Sequence, residues 1–248
     1  GSHGMLNSSG QSVVAWNWLA GGTASSNTDG TITASVSANT EAGFSIVTFT
    51  STGSSATVGH GLNSPPELII SKNRDTGSAW SVYAEPIGNN KRLRLDDTDA
   101  QVTSGVWGNT TPTSTVFTQN LTITTTDIVC YCFHSVDGYS KIGSYTGNGS
   151  SDGAFVYTGF KPAWVMIKKS SGTDGWSIYD NKRETFNVMD TRLSANLSDA
   201  EVSSSNIRID FLSNGFKLRG TGSTINTSGQ TYIYLAFAEQ PFKYSNAR

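Results

Sequence analysis

Short runs in which bulky apolar residues alternate with small or polar ones recur along the whole chain, separated by stretches of Gly, Ser, Thr and Asn. Such alternation puts every second side chain on one face of a strand. Trp80-Ser81-Val82-Tyr83 and Trp176-Ser177-Ile178-Tyr179 both read this way. Pro65-Pro66 leads into Glu67-Leu68-Ile69-Ile70-Ser71-Lys72, and Lys161-Pro162 leads into Ala163-Trp164-Val165-Met166-Ile167-Lys168. These short, mostly apolar runs predict buried strands. Phe44-Ser45-Ile46-Val47-Thr48-Phe49 is a further strand, ended by a Ser/Thr/Gly turn. Helical spacing arises only over 192–202, where Leu193, Leu197 and Ala200 predict one or two helical turns. Many short strands at this spacing predict an all-β fold, antiparallel, in a sandwich or barrel.

The pattern also repeats, and a repeat decides the architecture. Pro66 matches Pro162, Leu68-Ile69-Ile70 matches Trp164-Val165-Met166, Lys72 matches Lys168 and Trp80 to Tyr83 matches Trp176 to Tyr179, always 96 residues apart. Ser114-Thr115-Val116-Phe117 matches Ser213-Asn214-Gly215-Phe216 at a separation of 99, so a few residues are inserted between. Val129-Cys130-Tyr131-Cys132-Phe133 and Ile233-Tyr234-Leu235-Ala236-Phe237 close the two copies, and Val13-Val14-Ala15-Trp16-Asn17-Trp18 shares their alternation. Residues 1–5 read as a cloning scar, and 6–42 as the closing strand of a preceding copy plus a linker. Two tandem, homologous, jelly-roll-like β-sandwich units are expected over 43–137 and 138–248.

Composition narrows the function classes. Charged residues make up 15% of the 248 and the net charge is −2, which argues against a nucleic-acid partner. The one tight basic run, Lys91, Arg92 and Arg94, is followed at once by Asp96, Asp97 and Asp99, and reads as a solvated strand end or loop. No stretch approaches the roughly 20 apolar residues of a membrane span, so no membrane insertion is expected. Cys130 and Cys132, two apart on a strand, share a face, a poor arrangement for a mutual disulfide, and read as buried free thiols.

The candidate chemistry is sparse. His3 falls in the scar, His134 reads as structural or exposed, and His60, paired by the repeat with Val156, reads as a ring held in a glycine-flanked turn by backbone hydrogen bonds. Sugar hydrolysis needs two carboxylates across one cleft. Glu85, Asp96, Asp97, Asp99, Glu184, Asp190, Asp199 and Glu201 show no spacing that fixes such a pair, so no catalytic residue is expected. Gly147-Asn148-Gly149-Ser150-Ser151-Asp152-Gly153 superficially resembles a dinucleotide loop but reads as a hairpin turn. Asn27-Thr28-Asp29-Gly30 and Asp96-Asp97-Thr98-Asp99 offer oxygen ligands suited to Ca²⁺, but read as plain turns, and no metal or cofactor is expected. Trp80, Trp176, Tyr83 and Tyr179 recur in both copies and read as core, as does Trp164. Trp107 differs: it lies in a loop between glycines with Asn109 alongside, and this pair is the candidate ligand-binding site, the ring stacking on a sugar.

Gly43-Phe44-Ser45-Ile46-Val47, Val58-Gly59-His60-Gly61-Leu62, Pro66-Glu67-Leu68-Ile69-Ile70 and Gly143-Ser144-Tyr145-Thr146-Gly147-Asn148-Gly149 resemble repeated segments of tail-fibre-like proteins of phages, especially those of marine bacteria. Tyr232 to Glu239 and Pro241-Phe242-Lys243-Tyr244 are similar to their chain ends. The resemblance implies a virion component at the tail, assembled in the host cytoplasm, in contact with other virion proteins and with the host surface. The expected function is therefore non-enzymatic adhesion to a bacterial cell-surface glycan or receptor. A spacer or decoration unit without ligand and a polysaccharide depolymerase are the alternatives.

Overall fold

The alternating runs become strands that pair only antiparallel within the sheets. In the first half these are β1 (Ser25–Asn27), β2 (Ala34–Asn39), β3 (Phe44–Thr52), β4 (Ser55–Gly59), β5 (Leu68–Asn73), β6 (Ser81–Ala84), β7 (Lys91–Arg94), β8 (Val102–Thr103), β9 (Val116–Asn120) and β10 (Thr124–Phe133). In the second half they are β11 (Ser140–Thr146), β12 (Phe155–Tyr157), β13 (Pro162–Lys169), β14 (Ser177–Asp180), β15 (Thr191–Ser194), β16 (Val202–Ser203), β17 (Ile209–Leu212), β18 (Gly215–Leu218) and β19 (Thr231–Ala238), with one helical turn, α1 (Ser223–Asn226). The computed structural model describes residues 9, 10 and 12–240; the scar with His3, and Pro241-Phe242-Lys243-Tyr244, lie outside the described residues.

The strand order β3-β10-β5-β6-β7-β8 in the first large sheet recurs as β11-β19-β13-β14-β15-β16 in the second. A small sheet faces each: β4-β9 in the first half and β12-β18-β17 in the second. The inner faces enclose two cores, one around Val47, Ile69, Tyr83, Phe117 and Cys130, the other around Val165, Ile167, Tyr179, Phe216 and Tyr232. The outer faces of the two large sheets carry a third apolar layer, with Phe44, Leu68 and Phe133 from one and Trp164, Met166 and Phe237 from the other. The molecule is thus a stack in which the two sandwiches share the middle layer. Lys168 reinforces the join, its Nζ donating to Lys169 O (2.9 Å) and Asp174 O (2.8 Å) in its own half and to Thr98 O (3.1 Å) in the other.

Several expectations change. Residues 13–18 form no strand; with no neighbouring strand to pair with, they run as a strap whose Trp16 and Trp18 pack against the middle layer. Residues 34–39 are not linker, since β2 pairs with β3 from Ser35↔Thr48 to Asn39↔Phe44 and extends the first large sheet. No helix forms over 192–202: Leu193 pairs with Ile178 across β14 and β15, and Leu197 is exposed. The Gly147–Gly153 segment is not a hairpin turn, because β11 pairs with β19 and β12 with β18, so the chain there crosses between sheets.

The register also corrects the match of His60. Val58 stands opposite Phe117 as Val156 stands opposite Phe216, so the counterpart of His60 is Thr158. Both play one role: His60 N donates to Thr115 O at 3.2 Å and Thr158 N to Asn214 O at 3.0 Å. Each side chain then accepts from the N–H two residues on, Leu62 N to His60 Nδ1 at 3.1 Å and Phe160 N to Thr158 Oγ1 at 3.4 Å.

Candidate functional site

Two cavities stand out, of opposite character. The larger, about 440 Å³, lies between the large sheets and is walled almost wholly by apolar side chains, among them Trp16, Trp18, Trp80, Tyr131 and Trp164. It offers almost no polar group to fix a polar ligand.

The smaller, about 320 Å³, opens at one end of the first sandwich. Its walls bring together Ser71 and Asn73 from β5, Ser81 from β6, Arg92 from β7, Gln119 from β9 and Thr126 from β10. Ser104 and Val106 of the loop between β8 and β9, with Leu121 and Ile128, add further wall. Strand geometry puts these groups there: Ile69 and Ser71 share the inward face of β5, as Phe117 and Gln119 share that of β9.

The second half shows what packing alone would place at these positions. Tyr131 pairs with Ile70 and Leu235 with Met166, so Ser71 corresponds to Ile167. Phe117 corresponds to Phe216, so Gln119 corresponds to Leu218. Ile128 likewise corresponds to Tyr232, whose ring stacks on Tyr145 at 5.0 Å and 8°. Ile167, Leu218 and Tyr232 are buried in the second core together with Ile225 of α1. The connection that carries α1 is longer: thirteen residues lie between Leu218 and Tyr232, but eight between Gln119 and Ile128. The second sandwich is therefore plugged where the first is open and polar.

The polar groups are held firmly but incompletely. Gln119 is 2% exposed; its Nε2 donates to Ser71 Oγ at 2.7 Å, while its Oε1 has no partner. Among the described residues the Arg92 side chain has no hydrogen-bond or ion-pair partner, and its buried Nε is likewise unpartnered. Burial, with the repulsion of Arg94, pushes its pKa below the ordinary arginine value. No Asp or Glu is among the described residues that line the cavity.

The expected stacking ring is not available to a ligand. Trp107 is 2% exposed and meets Tyr83 edge-on, at 5.8 Å, inside the first core. The loop turns through Gly108 (φ 61°) and Asn109 (φ 51°), tightly enough to fold the ring inward. Asn109 stays exposed on the turn and does not line the cavity. The same loop still contributes Ser104 and Val106 to the wall. Ser71 and Gln119 do not stand out in the sequence, although each is a polar residue aligned with an apolar one in the repeat.

The remaining candidates are occupied elsewhere. His60 is buried, with Nε2 against Thr113 O at 3.1 Å, and burial lowers its pKa. His134 is buried and pairs Nδ1 with Ser135 O at 2.8 Å. Cys130 and Cys132 are free and buried, and burial pushes the Cys130 thiol up to about 12. Asp97 and Asp99 pair with Arg94, Asp190 with Arg208, Glu201 with Arg183, and Glu184 accepts from Thr191 N at 2.8 Å. Asp96 accepts from Trp80 N at 3.0 Å, and Asp29 N donates to Asn27 Oδ1 at 3.1 Å, closing a plain turn. Among the described residues no three His, Cys, Asp or Glu gather as a metal site, and no helix is long and apolar enough to cross a membrane.

A profile of the family described as "Domain of unknown function (DUF7483)" matches residues 1–241. No curated protein and no solved structure matches the chain.

Proposed function

We propose that this chain, which belongs to the DUF7483 family, is a non-enzymatic adhesion module that binds a bacterial cell-surface glycan in the polar cavity of its first sandwich. One observation carries the reading: Ser71 and Gln119 line an open cavity at positions where the second sandwich has Ile167 and Leu218 in its core. A feature present in both halves is explained by packing. A buried amide and hydroxyl in only one half need another explanation, since burying polar groups with unfilled hydrogen-bonding capacity costs stability. Hydroxyls, amides and one cation interleaved with Val106, Leu121 and Ile128 suit a sugar, which has polar edges and apolar faces. With no carboxylate in its walls, the cavity lacks the acid and base that glycoside hydrolysis uses.

The resemblance to tail-fibre-like proteins supplies the setting, a phage tail or another part of the virion, where the module would meet other virion proteins and the host. The joined pair of sandwiches, sharing one apolar layer, supports such a place. A bacterial glycan array tests the reading, with Gln119→Leu alongside. The variant carries the residue of the second half, so it should fold, and selective binding by the parent should fall to background in it. Binding that survives Gln119→Leu would move the site elsewhere, and silence from the folded parent would favour a spacer.

A further inference from the structure

We infer that the cavity takes a sugar bearing an anionic group, its carboxylate or phosphate seated on the Arg92 guanidinium. This rests on the glycan reading above. Three other arginines show how the molecule treats such side chains. Arg94 pairs with Asp97 and Asp99, Arg183 with Asp180 and Glu201, and Arg192, the counterpart of Arg92 in the second half, donates from Nη1 to Ser177 Oγ at 3.2 Å. Arg92 has none of these. It makes no bond to Ser81, the counterpart of Ser177, and no acid faces it across the cavity. A half-buried cation with no counter-charge is costly, and an anion entering the cavity would offset that cost.

The second orphan says what else the ligand carries. Gln119 gives one amide N–H to Ser71, and its free Oε1 can only accept. A bare anion has no hydrogen to give it; a sugar hydroxyl does. One anionic group for the planar fork of Arg92 and one hydroxyl donor for Gln119, within about 320 Å³, describe a single acidic sugar residue.

Calorimetric titration with D-glucuronic acid, D-glucose 6-phosphate and D-glucose tests this. At low salt one or both anionic sugars should bind about tenfold more tightly than glucose, and the advantage should shrink as salt rises. Whichever anion binds better identifies the source of the charge. Arg92→Gln should abolish the advantage, bringing the anionic sugars down to the affinity the same variant has for glucose, while Arg92→Lys should retain part of it. Equal affinity for all three sugars, or a preference untouched by Arg92→Gln, overturns the inference. If binding is equal yet lost in Gln119→Leu, the glycan pocket stands and only its acidic preference fails. If the folded protein binds none of the three, both fall.

Discussion

His60 and Lys168 are buried polar groups that the fold satisfies internally, unlike Gln119 and Arg92. Leu62 N donates to His60 Nδ1, so that nitrogen must be bare and Nε2 must carry the proton it gives to Thr113 O. Protonating Nδ1 would set two hydrogens against each other, and burial opposes the charge as well. The folded pKa therefore lies below the unfolded value near 6.5. The unfolded chain then binds the proton more readily, so stability is full above pH 6.5 and is lost as the pH falls toward the lowered folded pKa. His60→Thr, which installs the side chain found at Thr158, should remove this part of the pH dependence. Urea midpoints of parent and variant at pH 7.5 and 5.5 check it: the parent should lose more on acidification. Burial pushes Lys168 down to about 8, while Asp174 and Asp99 pull it back. Lys168→Met would strand the carbonyls of Thr98, Lys169 and Asp174 and should cost about 2–4 kcal/mol. Lys72→Met, at the less buried counterpart position, should cost much less in the same unfolding assay.

At the scale of elements, the strap 12–20 makes a sharper case than any strand. It has no ladder to hold it; Asn39 Nδ2 donates to Leu19 O at 3.2 Å, and the pair of rings fixes the rest: Trp18 lies 5.4 Å from Trp164 and 5.5 Å from Phe237, and Trp16 lies 6.3 Å from Trp164. Changing both tryptophans to serine should cost about 2 kcal/mol and open the apolar cavity, read as increased emission of a hydrophobic dye. An unchanged dye signal would mean the strap does not shield it. The same segment shows where the sequence was legible. Its alternation correctly marks the residues that pack inward, but strand identity depends on a partner that alternation cannot reveal. The turn at 147–153 was legible as a turn, yet which sheet the chain enters afterwards is decided by the pairing of β12 with β18. Core positions such as Trp176, Tyr83 and Cys130 could be read because repetition and period agree there. Trp107 could not, because its direction depends on two consecutive left-handed residues in its loop. The cavity was half visible: Ser71 against Ile167 and Gln119 against Leu218 stand in the aligned repeats, but only the register makes both inward-facing.

For the whole molecule, the decisive feature is that two sandwiches share their middle layer. Neither large sheet keeps a polar outer face; Leu68 and Phe133 on one and Trp164, Met166 and Phe237 on the other are buried against each other. Separated, each half would expose that face to water at a cost proportional to its area, so the halves should unfold together rather than as beads on a string. Trp164→Ala puts this to a test with two reporters. Removing the ring should cost about 3–5 kcal/mol. The only cysteines, Cys130 and Cys132, sit in the first core, away from the substitution, and are shielded until that core opens. If the layer couples the halves, thiol labelling in urea and the circular dichroism transition should shift to lower denaturant by the same amount. Labelling that holds its midpoint while the dichroism splits into two steps would mean that each sandwich stands on its own core. The cavity in the first half would then owe nothing to the second, and the rigid tandem body proposed to present it would be two independent modules.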